Sequence, residues 1–584
     1  MFDKQRQANR EQRRFLYRLL FFALGISALL AFLVTRLSFL TIQRGQELYE
    51  LSENNFINRS KIPAPRGNIV DRNGRILATS EPRYNISISP FKIDRDLLEM
   101  SLSMIGEFCP QARVPSLDHV LRVRPRWKPI TLASNLTMEQ ALPLLERQSL
   151  LPGVQVEQTF QRIYPHGRSA SFLTGYVGKI NERQLDEYLE RGYGLDDVVG
   201  KTAIEKKYEH VLKGEKGFEI VHRNSFGRVL DSHVTEEGKA HQGAEVRLTV
   251  DIRLQEKADA LLEGYEGVIM AMDTRNGDIL AMACRPNYDA NEPQMIGRHG
   301  NTSWNRAMLT AMNPGSTFKM VTAAAWLLQG GSPSHEVTCW GHIQLGDTKL
   351  HCDNRYGHGP LQMREAIAKS CNIYFYDLAR SLGQSRIVET GEYFGFGRPT
   401  GLALLDRHDS AGRLGDPMSR SLGDLVMMGI GQGRLISVTP IQMTRAFCAL
   451  ANGGKLYTPQ IVQRIKLPDG LMRDYPPIVA GEVPWTDEQH RVLMEAFRDV
   501  IDQPYGTGRH ARFPEWMQVA GKTGSAERVR GKPTDAYFVC FSPAEDPEIC
   551  VFVLLEHAGH GGEYASPLAR QLLEKYYSLK KKQG

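Results

Sequence analysis

The chemically most informative residues of the chain are a serine and a lysine three positions apart. Ser316 follows Pro314-Gly315 and opens an apolar run with helical spacing, and Lys319 lies on the same helical face. An unprotonated lysine amine so placed could take the proton from the serine hydroxyl and make it a nucleophile. Free backbone N–H groups at a helix N-terminus could stabilise the oxyanion that forms when such a serine attacks a carbonyl.

Two further motifs follow in the chain. Ser370-Cys371-Asn372 precedes an apolar stretch, and Lys522-Thr523-Gly524-Ser525 begins a predicted strand. In a serine acyl-transfer site, a second hydroxyl can shuttle a proton, an amide can hold a peptide, and a lysine with a hydroxyl can bind a carboxylate. The glycine of the last motif lets the backbone approach a ligand closely. A second cation near Lys319 would lower the pKa of its amine, which a lysine base requires at neutral pH.

Each motif alone also has a purely structural interpretation. Ser316 and Ser370 could be helix N-caps, and the Lys-Thr-Gly segment could be a turn before an edge strand. The chain contains such a coincidence, because Ser578 and Lys581 have the same spacing in a basic C-terminal tail. The occurrence of three motifs in one order favours a catalytic site over these interpretations.

Three cysteines and a histidine form a second group of chemically active residues within one short stretch. Their side chains could close a tetrahedral zinc site, and the last of them is the middle residue of the Ser-x-Asn motif, so that a metal would fix Ser370 and Asn372. A disulfide between the first two cysteines and scattered buried thiols are the alternatives. The group consists of Cys339, Cys352, His358 and Cys371.

The remaining cysteines lie in apolar contexts, which predicts that they are small core residues. They are Cys109, Cys284, Cys448, Cys540 and Cys550.

The elements that must position the motifs predict an α+β fold after residue 245. A hairpin of two buried strands is predicted over 267–272 and 278–283, and two late strands over 536–541 and 549–556. Because long helical patterns lie between the early and late strands, we expect a central antiparallel sheet closed by distant segments and flanked by helices. The other predicted elements are a strand at 245–251 and helices at 316–329, 362–382 and 567–579.

The region before residue 245 has a mixed α/β pattern. Turn signals around short apolar pieces predict a hairpin over 63–78, and amphipathic patterns predict helices over 137–151 and 181–191. Glycine and polar residues at 233–244 indicate a linker. We therefore expect an N-terminal pedestal over residues 41–244 and a catalytic domain over 245–584.

The N-terminus has the pattern of a membrane anchor. Residues 19–35 are uncharged and, at about 1.5 Å per helical residue, nearly cross a hydrocarbon layer of about 30 Å. Basic residues in 1–18 predict a cytoplasmic tail there, a transmembrane helix over 19–40 and an extracytoplasmic remainder. A cleaved signal peptide is the alternative, but the small-x-small site lies inside the apolar run instead of after it.

The charge distribution argues against a nucleic-acid-binding protein. The formal net charge is +6, and most of the excess lies in residues 1–18 and in the lysines at 580–582, so the rest is close to neutral. Two Gly-Lys-Thr segments do not qualify as phosphate-binding loops, because the glycine required five positions earlier is Leu195 or Trp516.

Together, the three motifs resemble those of the penicillin-binding proteins and serine β-lactamases. More specifically, the chain resembles the class B, monofunctional transpeptidases of cell elongation, the penicillin-binding protein 2 group. Further matching segments span nearly the whole chain: RGNIVDRNGRILA at 66–78, RIYP at 162–165, GYVG at 175–178, LTVDIRLQ at 248–255, GQG at 431–433, VTPIQM at 438–443 and ANGG at 451–454.

The resemblance implies a peptidoglycan D,D-transpeptidase that needs no cofactor for catalysis. Ser316 would attack the D-Ala-D-Ala carbonyl of a stem peptide, expel the terminal D-Ala and pass the acyl group to an amine on a neighbouring strand. Lys319 would be the base and Ser370 the proton relay. By the same resemblance, Asn372 would anchor the substrate peptide, Lys522 and Thr523 would bind its carboxylate beside Gly524, and the backbone N–H groups of Ser316 and Ser525 would form the oxyanion hole. Position 525 is a serine where a threonine is common in the family, which leaves its side-chain contacts open.

The resemblance also implies partners and a location. β-Lactams would acylate Ser316, and structural zinc sites occur in similar enzymes. The chain would lie in the bacterial inner membrane with its catalytic domain in the periplasm. It has no room for a separate glycosyltransferase domain, so glycan polymerisation would belong to a SEDS-type partner, with rod-complex scaffold proteins alongside. Its substrates would be lipid-linked precursor and nascent glycan.

Two other functional classes remain open from the residues. A D,D-carboxypeptidase or β-lactamase would hydrolyse the acyl-enzyme, but no glutamate can be nominated as the deacylating base of a lactamase. A catalytically inert β-lactam sensor would need a cytoplasmic signalling segment, and only about 18 residues are expected on that side of the membrane.

Overall fold

The structure is a computed structural model, and it describes residues 2–45, 57–89, 93–124, 129–194, 197–223, 229–235, 238–298, 300–402, 404–405, 408–528 and 531–582. The chain divides into two compact units. The first comprises Met1–Ala64, Arg83–Thr159 and Glu215–His241, and the second Pro65–Pro82, Phe160–Gly214 and Gln242–Gly584. The second unit thus includes two segments that precede the predicted boundary at residue 245.

The chain begins with a long helix. An α-helix over Phe2–Ser38 continues as a π-helical turn over Phe39–Gln43. Within it, Leu16–Gln43 is long and apolar enough to cross a membrane, and none of its most apolar stretch is buried in the protein. This segment contains the predicted anchor at 19–40.

The first unit combines a small sheet with a helical cluster. Strands Ile57–Ile62, Gly217–Arg223 and Val229–His233 pair antiparallel in that order. Residues 84–88 of strand Ile76–Ile88 pair antiparallel with Ile130–Leu136, and a core that includes Leu98, Ile105 and Leu132 lies beside them. Besides the N-terminal helix, this unit contains helices Arg95–Phe108, Leu117–Arg122 and Met138–Leu145.

Three predictions for the pedestal can be compared with these elements. The helix predicted at 137–151 is shorter, because Thr137 caps Met138–Leu145 and only a 3-10 turn, Gln148–Leu150, follows. The helix predicted at 181–191 is a 3-10 turn, Glu182–Gln184, followed by α-helix Leu185–Glu190. The hairpin predicted at 63–78 is confirmed, since Ile69–Val70 pairs antiparallel with the start of Ile76–Ile88. The predicted linker at 233–244 includes residues 236–237, which lie outside the described residues.

The part of the second unit that precedes residue 245 is built around a buried ion-pair network. Glu205 accepts from Arg66 Nε at 2.6 Å and from Arg162 Nε at 2.7 Å. The elements of this part of the second unit are strand Val154–Ile163, which ends in this unit, paired strands Val177–Lys179 and Val198–Gly200, and helices Ser171–Thr174, Leu185–Glu190, Ala203–Lys207 and Glu209–Leu212. The short strand Ile69–Val70 pairs in parallel with Glu245–Leu248, which joins this part to the residues that follow position 245.

A five-stranded antiparallel sheet forms the centre of the second unit. Its order is Ile279–Arg285, Gly267–Asp273, Ile549–Leu555, Asp535–Ser542 and Ala520–Ala526. The first two strands are the predicted hairpin and the last three come from the end of the chain, so distant segments do close the sheet. The fold class, α+β with a central antiparallel sheet, is confirmed. Ala520–Ala526 is the outermost strand on one side and is called the edge strand below.

Helices pack on this sheet. Ile252–Leu261 and Gly561–Lys580 contact each other and the sheet, and the wholly buried helix Pro440–Ala451 contacts three of its strands. The strand predicted at 245–251 ends at Leu248, because Asp251 caps helix Ile252–Leu261. The C-terminal helix predicted at 567–579 begins earlier, at Gly561, and accommodates Pro567 in its second turn.

The remaining helices carry two of the three motifs. The helix predicted at 316–329 consists of a 3-10 turn, Gly315–Phe318, and α-helix Lys319–Leu328. The single helix predicted at 362–382 is wrong: Met363–Ala368 and Asn372–Tyr393 are separate helices. The break occurs because Ser370 has φ +55°, a left-handed conformation that no α-helix continues through.

Further short elements complete the second unit. Helices Arg306–Leu309, Leu422–Gly429 and Asp487–Asp502 join the helical part. The paired strands are Val337–Cys339 with Gly359–Leu361, His342–Leu345 with Thr348–His351, Arg413–Leu414 with Ile436–Ser437, Lys455–Tyr457 with Val479–Glu482, and Val462–Lys466 with Glu245–Leu248 and Met472–Asp474.

Candidate active site

Ser316 lies in a turn held tightly against the edge strand. The turn is the 3-10 segment Gly315–Phe318, and the Ser316 side chain is half-buried. Gly315 has φ +55°, and a Cβ there would lie 2.7 Å from the Ser525 carbonyl oxygen. Only glycine permits this approach, which brings the backbone N–H groups of residues 316 and 525 to the same region. In the part of the chain that the structure describes, the Ser316 hydroxyl has no hydrogen-bond partner, so it is available to a ligand.

Lys319 is completely buried behind that turn. Its Nζ donates to the Ser370 carbonyl oxygen at 2.7 Å, to Ser370 Oγ at 3.2 Å and to Asn372 Oδ1 at 2.7 Å. Burial, which penalises the charged ammonium, lowers the pKa of Lys319 to about 8. The lysine thus contacts the second motif directly.

Ser370 contacts both lysines of the site. Its hydroxyl oxygen accepts a hydrogen bond from Lys319 Nζ on one side and from Lys522 Nζ, at 2.9 Å, on the other. The left-handed backbone at Ser370 turns the side chain out between its two flanking helices. Strain of this kind at a single serine is typical of a functional position.

Lys522 and Thr523 lie on the edge strand. Lys522 is fully buried, and its Nζ also donates to the Thr523 carbonyl oxygen at 3.0 Å. Burial lowers the pKa of Lys522 well below its usual value, and the charge of Lys319 lowers it further. Lys522 is thus a second amine close to Lys319, but the repulsion between them lowers the pKa of Lys522, and burial, not a second cation, lowers the pKa of Lys319. The Thr523 hydroxyl donates to Thr507 Oγ1 at 2.6 Å.

Asn372 begins the helix after Ser370 and connects the lysine to a neighbouring loop. Its Oδ1 accepts from Lys319, and its Nδ2 makes long contacts to the His351 carbonyl oxygen at 3.5 Å and to Asp353 Oδ1 at 3.4 Å. The weak contacts of Nδ2 leave this amide able to donate to a ligand.

Gly524 and Ser525 complete the edge strand beside the turn that contains Ser316. A Cβ at Gly524 would lie 3.1 Å from Thr317 Cγ2, so glycine allows the turn to pack closely. Ser525 Oγ accepts from the N–H of Gly561, at the start of the C-terminal helix, at 3.3 Å. The structure therefore brings together all eight residues of the three predicted motifs: Ser316, Lys319, Ser370, Asn372, Lys522, Thr523, Gly524 and Ser525.

Two residues that contact the site were not singled out from the sequence as parts of it. Gly431 accepts the Gly315 N–H through its carbonyl at 2.9 Å, and a Cβ at Gly431 would lie 2.2 Å from the Gly315 carbonyl oxygen. The GQG segment that begins at Gly431 was among the segments that resemble the family, but the sequence assigned it no role in the site. Thr507 lies in a loop and has no local signal. The coincidental Ser578 is exposed, and its hydroxyl bonds to Lys575 within the C-terminal helix.

The cysteine and histidine group closes into a cluster. Cys352 Sγ lies 3.6 Å from His358 Nδ1 and 4.0 Å from Cys371 Sγ. The four ligand atoms of Cys339, Cys352, His358 and Cys371 all lie within 4.8 Å of one another. All eight cysteines are buried free thiols, so Cys339 and Cys352 do not form a disulfide, and the other five are core residues as predicted.

Comparisons with known proteins agree with this geometry. Residues 267–574 match the family of penicillin binding protein transpeptidase domains, and residues 61–248 match the penicillin-binding protein dimerisation domain. The chain is 30% identical to the peptidoglycan D,D-transpeptidase MrdA of Haemophilus influenzae, over 98% of this chain and 93% of that protein.

Solved structures are similar over most of the chain. A complex between the penicillin-binding protein PBP2 and MreC from Helicobacter pylori has a TM-score of 0.74 at 25% identity, covering 90% of this chain and 99% of that one. A peptidoglycan synthase complex that coordinates polymerisation and crosslinking has a TM-score of 0.73 at 26% identity, covering 96% and 98%. The chain therefore belongs to the penicillin-binding peptidoglycan D,D-transpeptidases, serine enzymes of cell-wall synthesis.

Proposed function

We propose that Ser316 is the nucleophile of the transpeptidase, activated by Lys319. The observation that carries this proposal is the convergence of two buried amines, Lys319 and Lys522, on the Ser370 hydroxyl next to the Ser316 turn. A buried amine with a lowered pKa is the kind of base that deprotonates a serine at neutral pH.

In the acylation step, Ser316 Oγ forms a bond to the carbonyl carbon of the penultimate D-Ala, and its proton passes to the neutral Lys319 amine. The backbone N–H groups of Ser316 and Ser525 stabilise the oxyanion. The C–N bond to the terminal D-Ala then breaks, and the proton moves from Lys319 through the Ser370 hydroxyl to the leaving nitrogen. An ester on Ser316 and free D-Ala result.

In the second step, an amine of a neighbouring stem peptide attacks the ester carbonyl. Its proton returns along the same path while the bond to Ser316 Oγ breaks and the serine hydroxyl is restored. Asn372 Nδ2, whose present contacts are long, donates to the donor peptide. Groups of the protein take part in every proton transfer of these two reaction steps.

Lys522 and Thr523 bind the terminal carboxylate of the donor. Burial disfavours the ammonium form of Lys522, and an arriving carboxylate offsets that cost by favouring the charged amine. The Thr523 hydroxyl can exchange its bond with Thr507 for one to the ligand.

β-Lactams present a carbonyl and a carboxylate in a similar arrangement and acylate Ser316. The test is labelling with a fluorescent penicillin. Ser316→Ala should abolish labelling, whereas Ser578→Ala, which removes the serine of the coincidental motif, should not change it. Full labelling of Ser316→Ala would overturn the assignment. Peptide products then separate the reactions: dimers joined through an amide are expected, and trimmed monomers alone would indicate a hydrolase.

The cysteine and histidine cluster is a structural zinc site in this proposal. Three thiols and an imidazole are the donors that tetrahedral zinc prefers, and ligand atoms in a Cys3His site lie about 3.5–4 Å apart, close to the spacing here. A zinc ion bound there supplies folding energy and holds the loop. Cys371 lies between Ser370 and Asn372 in the chain. A metal bound by Cys371 would therefore hold both of these neighbouring residues in place.

The organisation of the chain follows from the same proposal. Residues 1–18 form a cytoplasmic tail, 19–40 the span across the inner membrane, 41–244 a pedestal and 245–584 the periplasmic transpeptidase domain. The apolar N-terminal helix and the two family matches support this division. Two similar structures, one a complex with MreC and one a peptidoglycan synthase complex, support a pairing with rod-complex scaffold proteins and a SEDS-type glycosyltransferase.

A further inference from the structure

One carboxylate of the chain makes a hydrogen bond to a residue of the three motifs. Asp353 Oδ1 lies 3.4 Å from Asn372 Nδ2, and the carbonyl oxygen of His351, two residues earlier, lies 3.5 Å from the same nitrogen. Among the residues that the structure describes, no other carboxylate makes such a bond to a motif residue. The Asp353 side chain is exposed, so a ligand that enters the site from solvent can reach it.

The backbone on both sides of Asp353 is held by hydrogen bonds. Cys352, which precedes it, is buried, and its N–H donates to the Gly341 carbonyl oxygen at 2.9 Å. Asn354, which follows it, closes a turn, because its Nδ2 donates to the Gly357 carbonyl oxygen at 2.8 Å. The exposed carboxylate therefore projects from a backbone whose position is fixed.

Asp353 has no countercharge of its own. In the described part of the chain, no lysine, arginine or histidine lies within ion-pair distance of its carboxylate. Its charge nevertheless reaches the catalytic amines: burial lowers the pKa of Lys319 and of Lys522, and the negative charge of Asp353 opposes that shift at both. An unpaired carboxylate so close to the reacting groups is suited to accept hydrogen bonds from a cationic ligand.

The second step of the reaction brings a cation to this place. The argument here rests on the proposed function, in which an amine of a neighbouring stem peptide attacks the Ser316 ester. An alkyl amine is almost entirely an ammonium at neutral pH. When the terminal D-Ala leaves, its carboxylate leaves with it, and the buried amines of Lys319 and Lys522 lose that countercharge. Any charge on these amines repels the arriving ammonium, which therefore needs an anion nearby.

Binding of the donor peptide makes the Asp353 carboxylate available. Asn372 Nδ2 has two hydrogens, and its two present acceptors are the oxygens of His351 and Asp353. In the proposed reaction this nitrogen donates to the donor peptide, so one of the two bonds must break. The His351 carbonyl belongs to the paired strand Thr348–His351, whereas the Asp353 side chain can rotate, so the bond to Asp353 is the one that is released.

We propose that Asp353 is the subsite for the acceptor amine, and that its carboxylate binds the incoming ammonium beside Asn372 once the donor has acylated Ser316. Hydrogen bonds between an ammonium and a carboxylate are about twice as strong as those between neutral groups. One proton leaves the ammonium for solvent, and the neutral amine then forms the amide bond while the bond to Ser316 Oγ breaks. Asp353 takes no proton in these steps. It holds the amine in preference to water, and so favours transfer over hydrolysis of the ester.

The test measures how the acyl-enzyme divides between transfer and hydrolysis. The full chain in detergent receives an N-acylated D-Ala-D-lactate ester as donor, which leaves no competing amine behind, with glycine or hydroxylamine as acceptor. Glycine carries an ammonium at neutral pH, whereas hydroxylamine is uncharged. Asp353→Asn should lower the ratio of transfer to hydrolysis about tenfold for glycine and less than about twofold for hydroxylamine. Asp353→Glu keeps the charge and should restore part of the glycine ratio.

The comparison of two amines separates binding of the ammonium from indirect effects. Removal of a negative charge near Lys319 also changes the basicity of its amine, but that change acts on transfer to both acceptors alike. Asp347→Asn removes an exposed carboxylate from the turn of hairpin 342–351, where it makes no bond to a motif residue, and should leave both ratios unchanged. Penicillin labelling of each variant checks that its active site has folded.

The outcomes distinguish the subsite from the proposed function. An unchanged glycine ratio in Asp353→Asn, or an equal fall for glycine and hydroxylamine, would overturn the subsite alone. So would transfer to hydroxylamine but not to glycine by the natural chain. Hydrolysis of the donor by the natural chain with transfer to neither amine would overturn the proposed second step together with the subsite.

Discussion

Lys522 Nζ lies 2.9 Å from the Ser370 hydroxyl, although the two residues are 152 positions apart in the chain. The same hydroxyl lies 3.2 Å from Lys319 Nζ. Two buried amines beside one hydroxyl cannot both hold protons at low cost, because like charges repel strongly where water is excluded. At least one of the two amines should therefore be neutral in the resting site. Lys522 loses its proton first, because burial and the charge of Lys319 lower its pKa well below the usual value, whereas the pKa of Lys319 is about 8.

The rate of acylation should therefore depend on pH through Lys319. Its pKa is lowered to about 8, and only the neutral amine can accept the serine proton. The second-order rate of acylation by a penicillin should rise about tenfold per pH unit below that value and level off above it. Stopped-flow labelling from about pH 6 to pH 10 measures this, and a rate that is flat or falls over the range would contradict the role of Lys319.

Asn372→Asp should shift this profile to higher pH. Asn372 Oδ1 lies 2.7 Å from Lys319 Nζ, and a carboxylate in its place would favour the ammonium and raise the pKa of Lys319. Acylation at pH 7 should fall more than about tenfold and recover partly in alkali. Asn181→Asp, at an exposed helix cap where aspartate serves equally well, is the matched control and should keep the natural profile. An Asn372→Asp profile that coincides with the natural one would refute the prediction.

Gly431→Ala should impair the nucleophile turn. Its Cβ would lie 2.2 Å from the Gly315 carbonyl oxygen, so the turn that carries Ser316 must move. A displacement near 1 Å there should slow penicillin acylation about a hundredfold. Gly453→Ala is the control, since that glycine also has a positive φ, +86°, but open space around it. Gly453→Ala should lose about 1–2 kcal/mol of stability and keep its acylation rate. Equal acylation rates in the two variants would show that the close contact does not matter.

The cysteine and histidine cluster should bind about one zinc per chain, measured by elemental analysis of the purified protein. Cys339→Ser should lose the metal and lower both the melting temperature and the rate of acylation, because Ser370 and Asn372 flank the ligand Cys371. Cys448→Ser alters a buried thiol outside the cluster and should retain the metal. Metal-free protein with all four side chains intact and full activity would argue against the site.

Glu205→Gln should destabilise the protein strongly. Glu205 is the fully buried partner of Arg66 and Arg162, and its loss leaves Arg162 in the interior without a countercharge, while Arg66 keeps Glu209 as its only carboxylate partner among the described residues. The free energy of unfolding should fall by about 3–5 kcal/mol in chemical denaturation. Glu187→Gln breaks an exposed pair with Arg191 and should cost only about 0–1 kcal/mol. Similar losses in both variants would mean that the buried network contributes no more than a surface pair.

Much of the catalytic region could be predicted from local patterns. The Gly267–Arg285 hairpin, the late strands and the helix after Ser316 each follow from apolar periodicity and turn residues that lie close together in the chain. The residue types of the three motifs were likewise enough to predict nucleophile, base, relay and carboxylate site, since each chemistry needs a particular functional group. The four residues proposed as zinc ligands could be nominated because their types are rare and clustered.

Other features depended on contacts between distant segments. The helix pattern over 362–382 gave no sign of its break, because the strain at Ser370 is stabilised by Lys319 and Lys522 from elsewhere in the chain. Thr507 and Gly431 reach the site through loops, and nothing in their local sequence showed that they contact it. A cavity lined by Arg413 and Tyr537 arises where the end of the edge strand, at Ala526, meets the strand pair Arg413–Leu414 and Ile436–Ser437, which comes much earlier in the chain.

The amino-acid sequence by itself determined which functional groups the chain has, in what order, and which short segments form helices and strands, because these depend on neighbouring residues. The tertiary structure alone decided that Lys319 bonds to Ser370 and Asn372, that the thiols stand free in one cluster, and that the carboxylate of Asp353 lies beside Asn372. Such pairings depend on how sheet and helices pack over long stretches of chain, and no local pattern encodes them.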